Sequence, residues 1–415
     1  MRVLAGSLFA AFLASAATAQ VPWRQTDTLA PGVSVCPGGL CQPEALTGVF
    51  AALSRAEAGR SSAPVHILQI GDSHTAGDRI TGRLRAAMQA RFGDGGRGVM
   101  PPGVPYQGYA PLQVEVTASG WGVTLAPLAG SAGYVRAGVG LSGVQAVTVQ
   151  PGSTLILRPE SDLLSFLRIG VCGDGPGRLQ VTTDDETWTV AFDTDSCPSL
   201  TAARNTRQIE LRALDGTLML HDVRLTRQAA GVELSSLGVV GATLRDLAAR
   251  DTWVVARELE AWRPALIVLA FGTNEGFDDG LDPQAYEALL RGQISRLRRM
   301  VPTTSLMILG APDALRNGVA NGCSADGGRA PPPLLAVVRD VQRRVAADMG
   351  VAFWDWHGRM GGDCSADRLA TRGEPFMLRD RVHFNAVGSD WIGGMLNADL
   401  MSAYEAWSER RGGRD

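Results

Sequence analysis

Continuous apolar runs that end in glycine alternate with helical patterns in two parts of the chain. Residues 65–71 (VHILQIG), 265–272 (ALIVLAFG) and 305–310 (SLMILG) are typical of strands buried on both faces of a parallel sheet. Stretches such as 78–91 and 283–300 carry apolar residues three or four positions apart and predict helices. Strands that alternate with helices predict an α/β domain with a doubly wound, mostly parallel sheet.

The middle of the chain has a different pattern. From about 110 to 228, short alternating runs such as LQVEV (112–116) and WTVAF (188–192) are separated by Gly, Asp and Pro. Many short strands at intervals of about 8 to 12 residues predict a β-sandwich inserted into the α/β domain. Just before it, the glycine-rich stretch GDGGRG (93–98) is followed by MPPGVP (100–105), which predicts a hinge.

The N-terminus has the pattern of a secretory signal peptide. Arg2 precedes a short apolar stretch, and Ala17-Thr18-Ala19 forms a small-x-small cleavage site. We therefore expect a periplasmic or secreted protein. The predicted organisation is a signal peptide at 1–19, an α/β domain at 20–100 and 231–408, an inserted β-sandwich at 101–230 and a flexible tail at 409–415.

The predicted export favours disulfide bonds between the six cysteines, because disulfides form in oxidising compartments. Six cysteines allow fifteen pairings, and their order along the chain favours pairing between neighbours. The expected pairs are Cys36–Cys41, Cys172–Cys197 and Cys323–Cys364. No Cys-x-x-Cys motif and no Cys/His cluster has the spacing of zinc ligands, so we expect no metal.

Composition excludes several functional classes. The 415 residues include 39 basic and 42 acidic side chains, a net charge of −3, and no long basic cluster. A nucleic-acid partner is therefore not expected. No apolar run after the N-terminus approaches the roughly 18 residues of a membrane span. We expect a monomeric protein.

Polar residues follow the predicted parallel strands where ligands bind in such sheets, beyond the carboxyl ends. The segments are 71–74 (GDSH), 238–242 (GVVGA) and 272–275 (GTNE), with a later segment at 380–383 (DRVH). A serine is a weak nucleophile unless an oriented base removes its proton, and an aspartate three residues before a histidine suits that purpose. Glycine N–H and asparagine amide groups can stabilise a tetrahedral oxyanion.

Together these four segments resemble the blocks of the SGNH (GDSL-type) hydrolase family, in the family's order. The resemblance implies a flavodoxin-like sheet and covers about 55–95 and 230–405. It makes Ser73 the nucleophile, Asp380 and His383 its triad partners, and Gly241 and Asn274 oxyanion donors with the Ser73 N–H. Two features depart from the family pattern: Glu275 replaces the usual aspartate, and the second block lacks the usual polar residue ahead of its glycine. The second departure leaves Gly238 as an alternative to Gly241.

A finer resemblance is to exported bacterial O-acetylesterases, especially those acting on peptidoglycan. Their catalytic domain also opens with a block like GDSHTAGD (71–78) and is associated with a carbohydrate-binding-like β-sandwich. Trp121, Tyr134 and Trp188 in the insertion could stack on sugars, although single aromatic rings are more often core residues. The resemblance implies an acetylated glycan as substrate, an acetyl-serine intermediate and no cofactor.

Alternatives remain open at this point. Acetylated xylan, cellulose or another exopolysaccharide could be the polymer. The same triad would serve an O-acetyltransferase that passes the acetyl group to a sugar hydroxyl. A non-catalytic glycan-binding protein is disfavoured by the complete set of blocks.

Overall fold

The structure is a computed structural model that describes residues 35–125, 138–160, 166–194, 196–227, 230–317, 322–324 and 328–412. The predicted signal peptide and Tyr134 lie outside the described residues. Within the described part, no helix combines the length and the apolar character needed to cross a membrane.

The elements of the described residues follow in chain order. The strands are β1 (Leu40–Cys41), β2 (Val65–Gly71), β3 (Asp94–Met100), β4 (Val114–Ser119), β5 (Trp121–Leu125), β6 (Val144–Thr148), β7 (Thr154–Pro159), β8 (Phe166–Asp174), β9 (Gly177–Thr182), β10 (Thr187–Phe192), β11 (Ser199–Thr206), β12 (Ile209–Gly216), β13 (Met219–Thr226), β14 (Val232–Gly238), β15 (Leu266–Ala270), β16 (Ser305–Leu309), β17 (Arg316–Asn317), β18 (Arg329–Ala330) and β19 (Ala352–Trp354). The helices are α1 (Thr47–Glu57), α2 (Ser73–Ala76), α3 (Arg79–Phe92), α4 (Leu244–Ala248), α5 (Thr252–Trp262), α6 (Thr273–Phe277), α7 (Pro283–Met300), α8 (Pro333–Met349), α9 (Trp356–Arg359), α10 (Ser365–Thr371) and α11 (Ala386–Gly412).

Five parallel strands form the centre of the molecule, in the spatial order β14–β2–β15–β16–β19. Counted along the chain this is the order 2-1-3-4-5 of flavodoxin-like sheets. The predicted mixed α/β fold with a mostly parallel central sheet is confirmed. In this topology the strand order reverses beside β2, so the loops after β2, β14 and β15 meet at one edge.

Alternate side chains of the central strands enter two separate cores. Ile67 packs with residues of α3 and α11 on one face, whereas Leu68 and Ile70 pack with residues of α5, α7 and α8 on the other. Each position in such a strand is buried, which explains the uninterrupted apolar runs in the sequence.

The hinge predicted at 100–105 stays a prediction, whereas the glycine-rich residues before it belong to β3. This strand pairs in parallel with β14 and antiparallel with β13. A Cβ on Gly96 would lie 2.6 Å from the Leu225 carbonyl oxygen, and one on Gly95 would lie 2.9 Å from the Val232 carbonyl carbon. The glycines are needed for close approach of neighbouring backbones.

Strands of the inserted segment continue the central sheet. Beyond β3 follow β13, β6 and β5, with β8 and β11 also attached, while β10, β9, β12, β7 and β4 form a second, antiparallel sheet. Apolar residues of both sheets share one core, and Trp121 and Trp188 pack against it. The inserted segment is therefore joined to the central sheet through β3. That it forms a separate β-sandwich domain stays a prediction.

Two helix boundaries differ from the sequence expectation. The single helix expected over 242–262 is divided into α4 and α5, because Asp251 accepts hydrogen bonds from the Trp253 and Val254 amides and starts a new helix. The residues expected to begin the flexible tail at 409 instead continue α11 to Gly412. Arg411 lies over the Trp407 ring there, which stabilises the last turn.

Candidate active site

The serine turn lies directly after the central strand β2. Asp72 precedes α2 and accepts a 2.9 Å hydrogen bond from the His74 amide, which caps the helix that begins at Ser73. A Cβ on Gly71 would lie 2.5 Å from the Ala270 carbonyl oxygen, so only glycine allows β2 and β15 to approach here. The turn leaves Ser73 half-buried at the carboxyl edge of the sheet.

Three polar side chains far apart in sequence form a hydrogen-bonded relay. The Ser73 Oγ lies 2.9 Å from His383 Nε2, and His383 Nδ1 lies 2.7 Å from Asp380 Oδ2. The carboxylate accepts from Nδ1–H, which leaves Nε2 free to accept the serine proton. This arrangement can activate a serine for attack on a carbonyl group.

The loop before α11 fixes the aspartate. Asp380 Oδ1 accepts hydrogen bonds from the amides of Val382 and His383, at 2.9 and 3.0 Å. Burial raises the pKa of Asp380, but hydrogen bonds from the His383 ring and from the two amides outweigh burial, so the pKa lies below its usual value. The carboxylate is therefore ionised at neutral pH.

His74 ties the serine turn to the histidine loop. Its Nδ1 lies 3.1 Å from Asp72 Oδ1, and its Nε2 lies 3.0 Å from the Val382 carbonyl oxygen. Both partners are acceptors, so both ring nitrogens carry protons and the imidazole is a cation. Burial lowers the pKa of His74, but the Asp72 carboxylate and the Val382 carbonyl outweigh burial and raise it above the usual value.

His74→Phe is expected to lower kcat on a small acetyl ester by about tenfold with little change in KM. Phenylalanine keeps a ring of similar shape but loses both hydrogen bonds, so the loop carrying His383 is less precisely placed against Ser73. Steady-state kinetics with wild type and His357→Phe as a matched control would measure this. Equal kcat values for His74→Phe and wild type would contradict the positioning role.

Two candidate oxyanion donors line the same cavity. Gly241 and Asn274 both line a cavity of about 320 Å³. Asn274 Nδ2 donates to the Ala242 carbonyl at 2.8 Å, which orients its amide. Gly238 instead packs on α2, where a Cβ would lie 2.0 Å from the Ala76 nitrogen. This placement favours Gly241 over Gly238.

Glu275 is a buried carboxyl group in the wall of the same cavity. Its Oε1 accepts a 2.7 Å hydrogen bond from the Leu244 amide, while Oε2 has no partner among the described residues. Burial raises the pKa of Glu275 to about 7. The side chain therefore joins α6 to α4 and is largely protonated in mildly acidic solution.

Glu275→Gln is expected to change stability in a pH-dependent way. The folded-state pKa of Glu275, about 7, lies above the ordinary value of 4.5, so wild-type stability falls as pH rises from about 4.5 to 7. A neutral glutamine avoids this loss, which is on the order of 3 kcal/mol. Urea unfolding at pH 4 and pH 8 should give similar stabilities at pH 4 and a more stable variant at pH 8. An equal difference at both pH values would contradict the buried-acid interpretation.

All three expected disulfides are present: Cys36–Cys41, Cys172–Cys197 and Cys323–Cys364. The last pair lies close to the triad loop, because Arg329 donates to the Asp380 carbonyl at 3.3 Å and its own carbonyl accepts from the Cys323 amide. This disulfide therefore braces the loop that carries the triad aspartate.

Cys323→Ser/Cys364→Ser is expected to lower kcat/KM about threefold to tenfold, in addition to lowering Tm. Removing the bond loosens the Arg329 contact with the triad loop. The control is Cys172→Ser/Cys197→Ser. This disulfide lines the same cavity as Pro64, which precedes β2, and its removal should lower Tm only. Equal activity losses in the two double variants would show a general effect of destabilisation.

One cluster of the described residues has the composition of a cation site. Asp313, His357 and Asp363 each offer a ligand atom, and these atoms lie within 4.8 Å of one another. The Arg339 guanidinium lies 3.7 Å from Asp363 Oδ1, and His357 Nε2 lies 2.8 Å from the same oxygen. The protein itself thus balances the charge, and the triad residues are not part of this cluster.

Most residues of the cavity wall were not predicted from the sequence. Arg245 comes from α4, Asp278 follows α6, and Tyr286 and Leu289 come from α7. These residues belong to ordinary amphipathic helices, so no local pattern marks them. Glu275 stood out only as a departure from the family block, and its burial was not predictable from that.

Comparisons with known proteins agree with this geometry. The model of the GDSL-like lipase/acylhydrolase family matches residues 199–391, which contain three of the four blocks but not the serine block. A solved peptidoglycan O-acetylesterase superposes with a TM-score of 0.76 at 26% identity, covering 89% of this chain and 99% of its own. The resemblance to SGNH (GDSL-type) hydrolases is confirmed.

Other solved structures are more distant. A family two carbohydrate esterase from Cellvibrio japonicus has 12% identity and a TM-score of 0.29, with 70% of this chain and 98% of its own covered. An acetyl xylan esterase has 18% identity and a TM-score of 0.31, with 40% and 80% covered. The search among curated proteins found no match.

Proposed function

We propose that this carboxylic ester hydrolase of the SGNH type removes O-acetyl groups from a cell-envelope glycan, and that this glycan is peptidoglycan. The observation that carries the proposal is the Ser73–His383–Asp380 relay, in which Ser73 Oγ lies 2.9 Å from His383 Nε2 and His383 Nδ1 lies 2.7 Å from Asp380 Oδ2. The match to a peptidoglycan O-acetylesterase over nearly the whole of that protein supports the choice of polymer.

The geometry suggests the following order of steps. His383 Nε2 takes the Ser73 proton as Oγ attacks the acetyl carbonyl carbon, and Asp380 stabilises the imidazolium that results. The Ser73 and Gly241 N–H groups and the Asn274 amide stabilise the oxyanion. His383 then protonates the departing sugar oxygen, which leaves acetyl-serine, and a water activated by His383 releases acetate and restores the serine.

The expected compartment is consistent with this substrate. The three disulfides suit an oxidising environment such as the periplasm or the cell exterior, where a cell-wall glycan is accessible. The signal peptide at 1–19, a monomeric state and a glycan-binding role for 101–230 stay predictions. Trp121 and Trp188 give that last role no support, because both pack against the core between the two sheets.

Acetate release from O-acetylated peptidoglycan and from acetylated xylan, compared at equal ester concentration, tests the proposal. We expect faster release from peptidoglycan, and no release by Ser73→Ala from either polymer. Preference for xylan would overturn the choice of polymer but not the esterase chemistry.

The O-acetyltransferase alternative is tested in the same assay by adding a de-acetylated acceptor glycan. Transfer would move acetyl groups to the acceptor and reduce free acetate. A hydrolase releases the same amount of acetate with and without the acceptor, because water reaches the acetyl-serine intermediate.

A further inference from the structure

A second cavity lies at the opposite edge of the sheet from the candidate active site. It has a volume of about 410 Å³, within the range of small-ligand sites. Pro64 in its wall precedes β2, and Trp262 and Arg263 precede β15, so the cavity faces the amino ends of the parallel strands. The other side of the wall comes from β8 and β13, which belong to the inserted segment. The cavity is therefore built where the insertion meets the catalytic sheet.

Three arginines line this cavity. Arg224 is paired with the fully buried Glu233. Arg168 and Arg263 have no ion-pair partner in the described parts of the chain, although both line the cavity. Two acids also contribute to the wall, the buried Asp222 and the exposed Glu260. Glu260 lies 3.6 Å from Arg257, which offsets its charge.

The positive charge of these arginine side chains favours a ligand with negatively charged acceptor oxygens. Guanidinium groups pair with carboxylates through two parallel hydrogen bonds, which a neutral hydroxyl cannot match.

We propose that this cavity binds a carboxylate of the glycan chain, at a site separate from the catalytic one. The inference rests on the proposed function for the identity of the polymer. Peptidoglycan carries carboxylates on its stem peptides, and on the lactyl groups of muramic acid where the stem peptide has been removed, whereas acetylated xylan backbones and chitin oligosaccharides are neutral. A chain held at one edge of the sheet raises the local concentration of esters near Ser73.

Sedimentation with insoluble peptidoglycan tests the site in the full chain. The variant is Arg168→Gln/Arg263→Gln, and the matched control is Arg204→Gln/Arg299→Gln, two exposed arginines outside the cavity. All are made in the Ser73→Ala background so that the polymer is not altered during binding. We expect at least tenfold weaker binding for the cavity variant, less than twofold change for the control, and loss of the difference at high salt.

Competition distinguishes the two sources of carboxylate. Glycan strands freed of stem peptides carry only lactyl carboxylates, isolated stem peptides carry the others, and N-acetylchitohexaose carries none. Competition by either anionic probe but not by chitohexaose supports the site and names the group. Binding unchanged in Arg168→Gln/Arg263→Gln, equal loss in the control, or equal competition by chitohexaose would overturn it.

If the double variant folds poorly, Arg263→Glu provides a second test of the site. Arg263 is exposed, so its substitution should not disturb folding, and glutamate reverses the charge at this position. Restoring Ser73 in the cavity variant should leave turnover of a small acetyl ester unchanged. Acetate release from peptidoglycan reports the proposed function independently, so failure of the binding site and failure of the esterase assignment give different results.

Discussion

Ser73→Ala is expected to reduce hydrolysis of a small acetyl ester by about 10³-fold or more while the protein remains folded. Alanine removes the oxygen that lies 2.9 Å from His383 Nε2, so no acetyl-enzyme can form. The remaining rate comes only from binding and oxyanion stabilisation. Ser73 does not fill a core position, so the cost in stability is small.

Initial rates, circular dichroism and acetyl-enzyme trapping by mass spectrometry check this expectation together. Ser408→Ala makes the same change on an exposed face of α11 and should leave the rate unaltered. Trapped acetyl groups should appear on Ser73 in wild type and be absent in Ser73→Ala. Near-normal turnover by folded Ser73→Ala would show that another group attacks the ester.

Asn274→Ala is expected to lower kcat by about 10²- to 10³-fold with a much smaller change in KM. The amide donates to charge that develops in the transition state, so the ground-state complex loses little. Asn274 also donates to the Ala242 carbonyl at 2.8 Å, so part of the loss reflects a less ordered Gly241 segment.

A second variant tests whether negative charge develops beside Asn274. Asn274→Asp has nearly the same shape, but its carboxylate cannot donate and repels the developing oxyanion, so the rate should fall at least as far as in Asn274→Ala. Glu275→Gln, which keeps the Asn274 amide, should retain most of the activity. A loss in kcat/KM carried wholly by KM would argue against an oxyanion role for Asn274.

Much of the fold follows from the sequence because its causes are local. Strands such as 65–71 are apolar at every position, since a central parallel strand is buried on both faces, and the pattern needs no knowledge of its neighbours. The polar blocks follow these strands directly, so the rule that ligands bind beyond the carboxyl ends brings Ser73 and Asn274 to one edge. The cysteine pairs could be predicted from the sequence because partners lie near one another along the chain.

Errors occurred where one backbone depends on another. Residues 94–100 contain three glycines and lack the apolar pattern of a strand, yet they form a buried strand because β13 and β14 supply hydrogen bonds on both sides. Likewise, 242–262 has a continuous helical pattern, and only the cap at Asp251 divides it. The local propensity of a segment contains no information about such partners.

The sequence by itself therefore determined the class of chemistry: a serine, an aspartate–histidine pair and candidate oxyanion donors placed after the strands of a parallel sheet. Only the tertiary structure decided how these groups are tuned. The cationic state of His74 depends on Val382, 308 residues away, and the pKa of Glu275 depends on burial against α4. Both arise because desolvation and hydrogen bonding act between segments that are remote in the chain, and such effects leave no periodic signal in the sequence.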